Sequence, residues 1–236
     1  MNYRLEPDRL IRVADQLALR VAERLPESGL SKVVADLAVV ARDACIVAGK
    51  LAKPDIPLRL LVASLTLAVI AVAIIASASL RVRVEETNAL EIAQGLESLI
   101  NILVFGGAGI YFVWTVESYR KRQRALALIA QLRSLAHVID MHQISKDPDR
   151  LNDPLPPTES SPPRLQMTPD LLVRYLDYCS AALSILSKLA AMQVQHFDDP
   201  VTLDAVNDME NLSSGLARKI WQKIMIIDRP SPRAAR

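Results

Sequence analysis

The chain has 236 residues with a formal net charge of +2, and it contains only seven glycines and 4% aromatic residues. The near-neutral charge argues against a nucleic-acid partner, because binding to phosphates calls for a basic surface. The shortage of glycine and aromatic residues, against abundant Ala, Leu and Val, favours helices over sheets. We therefore expect an all-α protein.

Residues 1–59 carry the first helical pattern. Charged residues at the N-terminus leave no apolar core for a signal peptide, so we expect the first apolar span to direct insertion. Pro7 suits a first helical turn, and the sequence from Pro26 to Gly29 predicts a break before a second helix over about 31–53. We expect a cytoplasmic helix pair. Its predicted buried stripes are Leu10, Ala14, Leu17 and Val21, then Val33, Leu37, Val40, Ala44, Val47 and Leu51.

Two uncharged stretches follow, 60–80 with 21 residues and 98–116 with 19. About 20 apolar residues in a helix cross the roughly 30 Å hydrocarbon core of a bilayer. The connector 81–97 is too short to form a domain, and its later residues keep a helical spacing. The pattern predicts a transmembrane helical hairpin.

Lys and Arg on both outer flanks of this hairpin predict its orientation. Positive residues stay on the cytoplasmic side, and the connector carries only Arg81 and Arg83. We expect an inner (plasma) membrane protein of bacterial type, with both termini in the cytoplasm. The residues that we expect to anchor the hairpin in lipid or to set its topology are Arg59, Trp114, Tyr119, Arg120, Lys121, Arg122 and Arg124.

The remaining chain predicts further cytoplasmic helices. Residues 117–147 continue the second span as a juxtamembrane helix, and 148–169 hold half of the fourteen prolines, which is typical of a linker without a packed core. Thr168, as a helix cap, opens a C-terminal helix pair over 170–228, and 229–236 forms a tail.

Apolar residues at heptad spacing, typical of coiled coils and helical bundles, run along these helices. Such stripes need burial, because isolated helices are unstable in water. We expect an antiparallel cytoplasmic bundle built from both flanks, and a homo-oligomer where one chain cannot bury its stripes. Trp221 is expected in the core or at a subunit contact. The stripes are Leu128, Leu132, Leu135 and Ile139; Leu172, Leu176, Cys179, Leu183, Leu186 and Ala190; and Val206, Met209, Leu216, Ile220, Ile224 and Ile227.

Small residues in the two spans predict close helix packing, because they let backbones approach. The partners could be the two spans of one chain or the spans of two subunits; a hinge or a pore-lining strip is a further alternative. Asn101 is expected at a wetted span end or in a hydrogen bond between helices. The predicted packing residues are Ser64, Ala68, Ala71, Asn101, Gly106, Gly107 and Gly109.

One group of polar residues is a candidate reactive site. His137, Asp140 and His142 lie near one helix end, and His196 could join them from another helix. Their spacing does not place three metal ligands on one helix face, so polar capping is the simpler interpretation. Cys45 and Cys179 are expected as buried reduced thiols. We expect no catalytic residue, metal or cofactor.

The sequence therefore favours a non-enzymatic two-span membrane protein that self-associates and presents its helices to a cytoplasmic protein partner. Its expected partners are the lipid bilayer, further copies of the chain and a cytoplasmic protein. An oligomeric pore-forming or membrane-perturbing effector is the first alternative. A metal-dependent enzyme that uses the region from His137 to His142 is the second.

Overall fold

A computed structural model describes residues 4–83, 89–148, 159–160 and 167–228. These residues form six α-helices and no strand, which confirms the predicted all-α class for the described part of the chain. The tail 229–236, most of the linker 148–169 and part of the connector 81–97 lie outside the described residues. The helices are α1 Pro7–Arg24, α2 Gly29–Ala52, α3 Ile56–Arg83, α4 Ala89–Ile144, α5 Pro169–Met192 and α6 Pro200–Ile227.

The chain divides into two compact units. The core unit comprises Met1–Ala52 and Arg124–Arg236, and the apolar unit comprises Lys53–Gln123. The single helix α4 contributes residues to both units. This helix runs without a break from Ala89 to Ile144, over most of the residues of the predicted second span and of the predicted segment 117–147.

In the core unit, α1 and α2 begin and end where local chemistry predicts. Pro7 lies in the first turn of α1, and Arg24 lies in its last turn, where a cation interacts favourably with the helix dipole. Between the helices, Glu27 has a positive φ of 58°. The Ser28 hydroxyl then accepts a hydrogen bond from the backbone N–H of Ser31 at 3.1 Å, which caps the start of α2.

The predicted stripes lie on the buried faces of α1 and α2, and the buried face of α2 is wider than predicted. Leu10, Ala14, Leu17 and Val21 are all buried on α1. On α2 the predicted stripe is buried except for Val47, which is half-buried, and the buried face is wider than one stripe. The reason is that α2 packs against both α1 and α5. The additional buried residues are Leu30, Val34, Ala38, Ala41 and Ala48.

Helix α5 packs against α1, α2 and α6 and forms the central part of the core. Its start follows the prediction: the Thr168 hydroxyl accepts from the backbone N–H of Leu171 at 3.2 Å, and Pro169 is in the first turn. It ends at Met192, earlier than a helix continuing to about 197, because the N–H of Gln193 bonds back three residues to Ala190. Such bonds tighten and close a last turn.

Helix α6 begins at a cap that is itself buried. Asp199 is 5% exposed, and its carboxylate accepts hydrogen bonds from the backbone N–H and the hydroxyl of Thr202, at 2.9 and 2.8 Å. The predicted start at Asp199–Pro200 is thus confirmed. Trp221 is 62% exposed, so it does not lie in the core.

Candidate functional site

In the apolar unit, glycines of α4 face branched apolar residues of α3. A Cβ added at Gly106 would lie 2.7 Å from Cγ2 of Val69, and one at Gly109 would lie 3.8 Å from Cδ2 of Leu65. Nothing lies within 4 Å of a Cβ added at Gly107. Later residues of α4 thus contact earlier residues of α3, so the two helices run antiparallel.

The predicted packing residues therefore occupy different surroundings. The structure brings Val69 and Leu65 to the glycines, whereas Ser64, Ala68 and Ala71 are exposed. The Ser64 hydroxyl donates to the carbonyl of Leu61 in its own helix at 2.9 Å. Asn101 is also exposed.

A buried carboxylate joins α3 and α4 at one end of this helix pair. Glu117 is only 7% exposed, and its Oε1 accepts from the Lys121 ammonium at 3.0 Å. Its Oε2 accepts from Nε of Arg59 at 3.4 Å, and the backbone N–H of Asp55 donates to Oε1 at 3.3 Å. The carboxylate thus fixes the first turn of α3 to α4.

The pKa of Glu117 is lowered by this arrangement. Burial alone would raise it, but the hydrogen bonds from Lys121 and Asp55, the positive charge of Lys121 and the bond from Arg59 together outweigh that effect. Glu117 therefore remains ionised at neutral pH. Sequence reasoning did not single it out, although the spacing of Glu117 and Lys121, four residues apart on a helix, is a recognised ion-pair pattern.

An open cavity of about 250 Å³ lies beside this ion-pair cluster, still within the apolar unit. Apolar side chains form most of its wall, and Arg59 and Glu117 are the charged residues that line it. We call this cavity the α3–α4 groove. It is lined by Leu58, Arg59, Val62, Ile110, Val113, Trp114 and Glu117.

The predicted anchor residues divide by exposure. Trp114 is 67% exposed and Tyr119 57%, and Arg120 and Arg124 are also exposed. Arg122 is half-buried. Lys121 instead turns inward: its side chain is 14% exposed and its ammonium lies on Glu117.

The polar residues near the end of α4 have structural contacts. The His142 ring packs so closely on Gly29 that a Cβ there would clash with it, and its backbone carbonyl accepts from the Tyr175 hydroxyl at 3.3 Å. His137 and His196 are exposed, and Asp140 is half-buried. Among the residues that the structure describes, no group of three His, Cys, Asp or Glu is placed to hold a metal ion.

Both cysteines sit where their thiols are protonated. Burial, with the nearby charge of Asp8, raises the pKa of Cys45 to about 11. Burial raises the pKa of Cys179 to about 12, although the charge of Lys223 acts in the opposite direction. Because the thiolate is the reactive form, neither is a candidate nucleophile at neutral pH.

A separate surface depression of about 340 Å³ lies in the core unit, between α1 and α5. It is lined by Arg20, Glu23, Arg24, Arg174 and Tyr178, so its wall is polar and mostly basic. Among the described residues, Arg174 of this depression forms an ion pair with Asp177 at 4.0 Å.

Comparison of the chain with protein-family models, with curated proteins and with solved structures finds no significant match.

The contrast between neighbouring glycines gives a matched pair of variants. We expect Gly106→Ala to lower the free energy of unfolding by about 1–3 kcal/mol, because the new methyl must displace the stiff Val69 side chain. Gly107→Ala should leave it unchanged or raise it by up to about 1 kcal/mol, since Ala favours helix over Gly. Thermal unfolding of the purified chain in detergent, followed by circular dichroism, measures both. Equal effects at the two positions would contradict this packing.

The lowered pKa of Glu117 predicts a pH-dependent stability. Its contribution is complete above the ordinary pKa of 4.5 and is lost as pH falls through the lower pKa of the folded protein. At pH 7 we expect Glu117→Gln to cost about 2 kcal/mol, between the values for buried and exposed pairs, because the Lys121 side chain is only 14% exposed whereas that of Arg59 is 63% exposed. Denaturant unfolding from pH 7 to pH 3 should show the variant and the parent converging below pH 4.5. A constant difference across that range would disprove the assignment.

Proposed function

We propose that this chain is a non-enzymatic, two-span inner-membrane protein that self-associates and presents its cytoplasmic helices to a protein partner, in a structural, scaffold or signalling role. The spans are residues 60–80 and 98–116, joined by the outer connector 81–97, and both termini lie in the cytoplasm. This role requires that the chain contact the bilayer, further copies of itself and a partner protein.

One observation carries the membrane part of the proposal. The helical stretches Gly29–Ile75 and Gly95–Ile144 each contain a window long and apolar enough to cross a membrane, and none of either window is buried. An apolar helix in a soluble core would instead be covered, as Leu176 and Leu183 of α5 are. Exposed apolar surface costs roughly 25 cal/mol per Å² in water. A bilayer is the solvent that removes this cost.

The orientation is supported by the charges at one end of the apolar unit, near the first turn of α3. Arg59 and Arg120 are exposed there, and the exposed rings of Trp114 and Tyr119 lie in the same part of α4 as Arg120. Aromatic rings of this kind favour the headgroup layer, and basic residues favour the cytoplasmic leaflet. The aromatic rings thus favour a membrane surface for this end, and the basic residues direct it toward the cytoplasm.

Self-association and partner binding are supported by apolar surface that the described part of the chain leaves uncovered. In the apolar unit, Gly107 faces open space and Phe105 is 74% exposed. In the core unit, Trp221 is 62% exposed, Met225 45% and Ile226 42%, all near the end of α6. Small residues suit helix contacts in lipid, and exposed Trp and Met suit a contact with a protein.

Membrane insertion and orientation can be measured on the full chain. We expect the protein to remain in the membrane pellet after carbonate extraction at high pH, because its apolar helices stay in lipid. Tags at the N- and C-termini should resist protease added to intact cells and be cleaved after the inner membrane is opened. Recovery in the carbonate supernatant, or cleavage of either tag on intact cells, would overturn the proposed topology.

Self-association can be tested with one introduced cysteine. Oxidation with copper phenanthroline in native membranes should link two copies of Gly107→Cys, because that position faces open space. Gly106→Cys, whose side chain would meet Val69 of its own chain, should remain monomeric. The parent is a suitable background, since burial raises the pKa of Cys45 to about 11 and of Cys179 to about 12. Only monomer from Gly107→Cys at every oxidant concentration would count against this contact.

A further inference from the structure

We infer that the α3–α4 groove is a binding site for one anionic phospholipid, whose acyl chain lies along the apolar wall and whose phosphate binds Arg59. The inference rests on the proposed membrane insertion, because only that places the groove at the lipid headgroup layer. The site lies on one helix pair and has a headgroup preference of its own.

The shape and lining of the groove suit a hydrocarbon chain. Leu58, Val62, Ile110 and Val113 form an apolar wall around about 250 Å³. Compact small-molecule sites usually occupy about 300–1,000 Å³ and contain several convergent polar groups. This groove is smaller and has charged groups only at Arg59 and Glu117, near the first turn of α3. A chain segment with one charged end matches that distribution.

The charge balance at this end selects an anion. Two cations, Arg59 and Lys121, share the single carboxylate of Glu117. Lys121 is 14% exposed and is held inward, whereas Arg59 binds Glu117 only through Nε and keeps 63% of its side chain exposed. Arg59 is the one cation among the residues that line the groove, so its guanidinium is the positive charge that a ligand there can reach. Its planar fork of N–H donors matches the geometry of a phosphate.

Trp114 completes the lining of the site. Its ring lines the groove and is 67% exposed, so one face can contact an acyl chain near the headgroup layer. The ring also supplies a reporter, because a bromine atom on a lipid chain quenches tryptophan fluorescence only on close contact. The chain has two tryptophans, so Trp221→Phe leaves Trp114 as the single reporter.

The test uses the full-length Trp221→Phe protein in phosphatidylcholine vesicles. Phosphatidylglycerol or phosphatidylcholine with brominated acyl chains is added in increasing fraction, and quenching of Trp114 gives the relative affinity for the two lipids. We expect about a fivefold preference for phosphatidylglycerol, the ratio that corresponds to the gain of about 1 kcal/mol for one basic residue near anionic lipid. Arg59→Gln should reduce the ratio to about one, and Arg59→Lys should retain part of it.

Two further variants separate this site from general surface charge and from misfolding. Arg120→Gln removes an exposed positive charge outside the groove lining and should retain the preference. Val62→Phe fills the groove while leaving Arg59 and Glu117 in place, and should abolish the preference. The site would be overturned if the preference for phosphatidylglycerol survived both Arg59→Gln and Val62→Phe. It would also be overturned if Arg120→Gln reduced that preference as much as Arg59→Gln does. Equal quenching by both lipids in the parent would overturn it while leaving membrane insertion intact. No quenching by either lipid would overturn insertion as well.

Discussion

The apolar surface of α3 and of the neighbouring part of α4 is the constraint on which the rest of the molecule depends. Along the described helices, the core unit buries its apolar stripes, whereas no residue in the most apolar windows of the chain is buried. At roughly 25 cal/mol per Å², such surface is incompatible with water over two helices of this length. The proposed bilayer, and contacts between copies at positions such as Gly107, are the environments that resolve this conflict.

Charged groups mark where that surface ends. Glu117 is buried and is bonded to two cations and a backbone N–H, so its ionised form is retained although burial opposes it. Removing one partner from such a cluster leaves an uncompensated charge, which is why the cluster fixes the first turn of α3 to α4. The same cluster leaves Arg59 available at the α3–α4 groove, so one arrangement serves both packing and the proposed lipid site.

Exposed apolar residues at the end of α6 belong to a different class. Trp221, Met225 and Ile226 lie on a unit whose own core is complete around α5, so intramolecular packing does not need them. Large exposed side chains of this kind are typical of protein contacts. They are the surface that the proposed cytoplasmic partner, or a second copy of the chain, has available.

Helix positions and buried stripes could be read from the sequence because both depend on local rules. Pro7, Thr168 and Asp199 set helix starts through first-turn geometry and capping, and the stripe from Leu10 to Val21 follows helical periodicity. The residues around His142 gave no comparable information, since what they contact depends on a distant segment. The structure packs that ring on Gly29, more than a hundred positions away.

The sequence by itself determined the all-α class, the starts of α1, α5 and α6 and the presence of two long uncharged apolar stretches, because composition, caps and spacing act within a few residues. Only the tertiary structure decided which glycine is a contact: Gly106 lies on Val69, while Gly107 beside it faces open space. It also decided that Lys121 turns inward to Glu117 while Arg59 stays exposed. These outcomes depend on the rotation of two helices against each other, which brings together residues far apart in the chain and which no local pattern encodes.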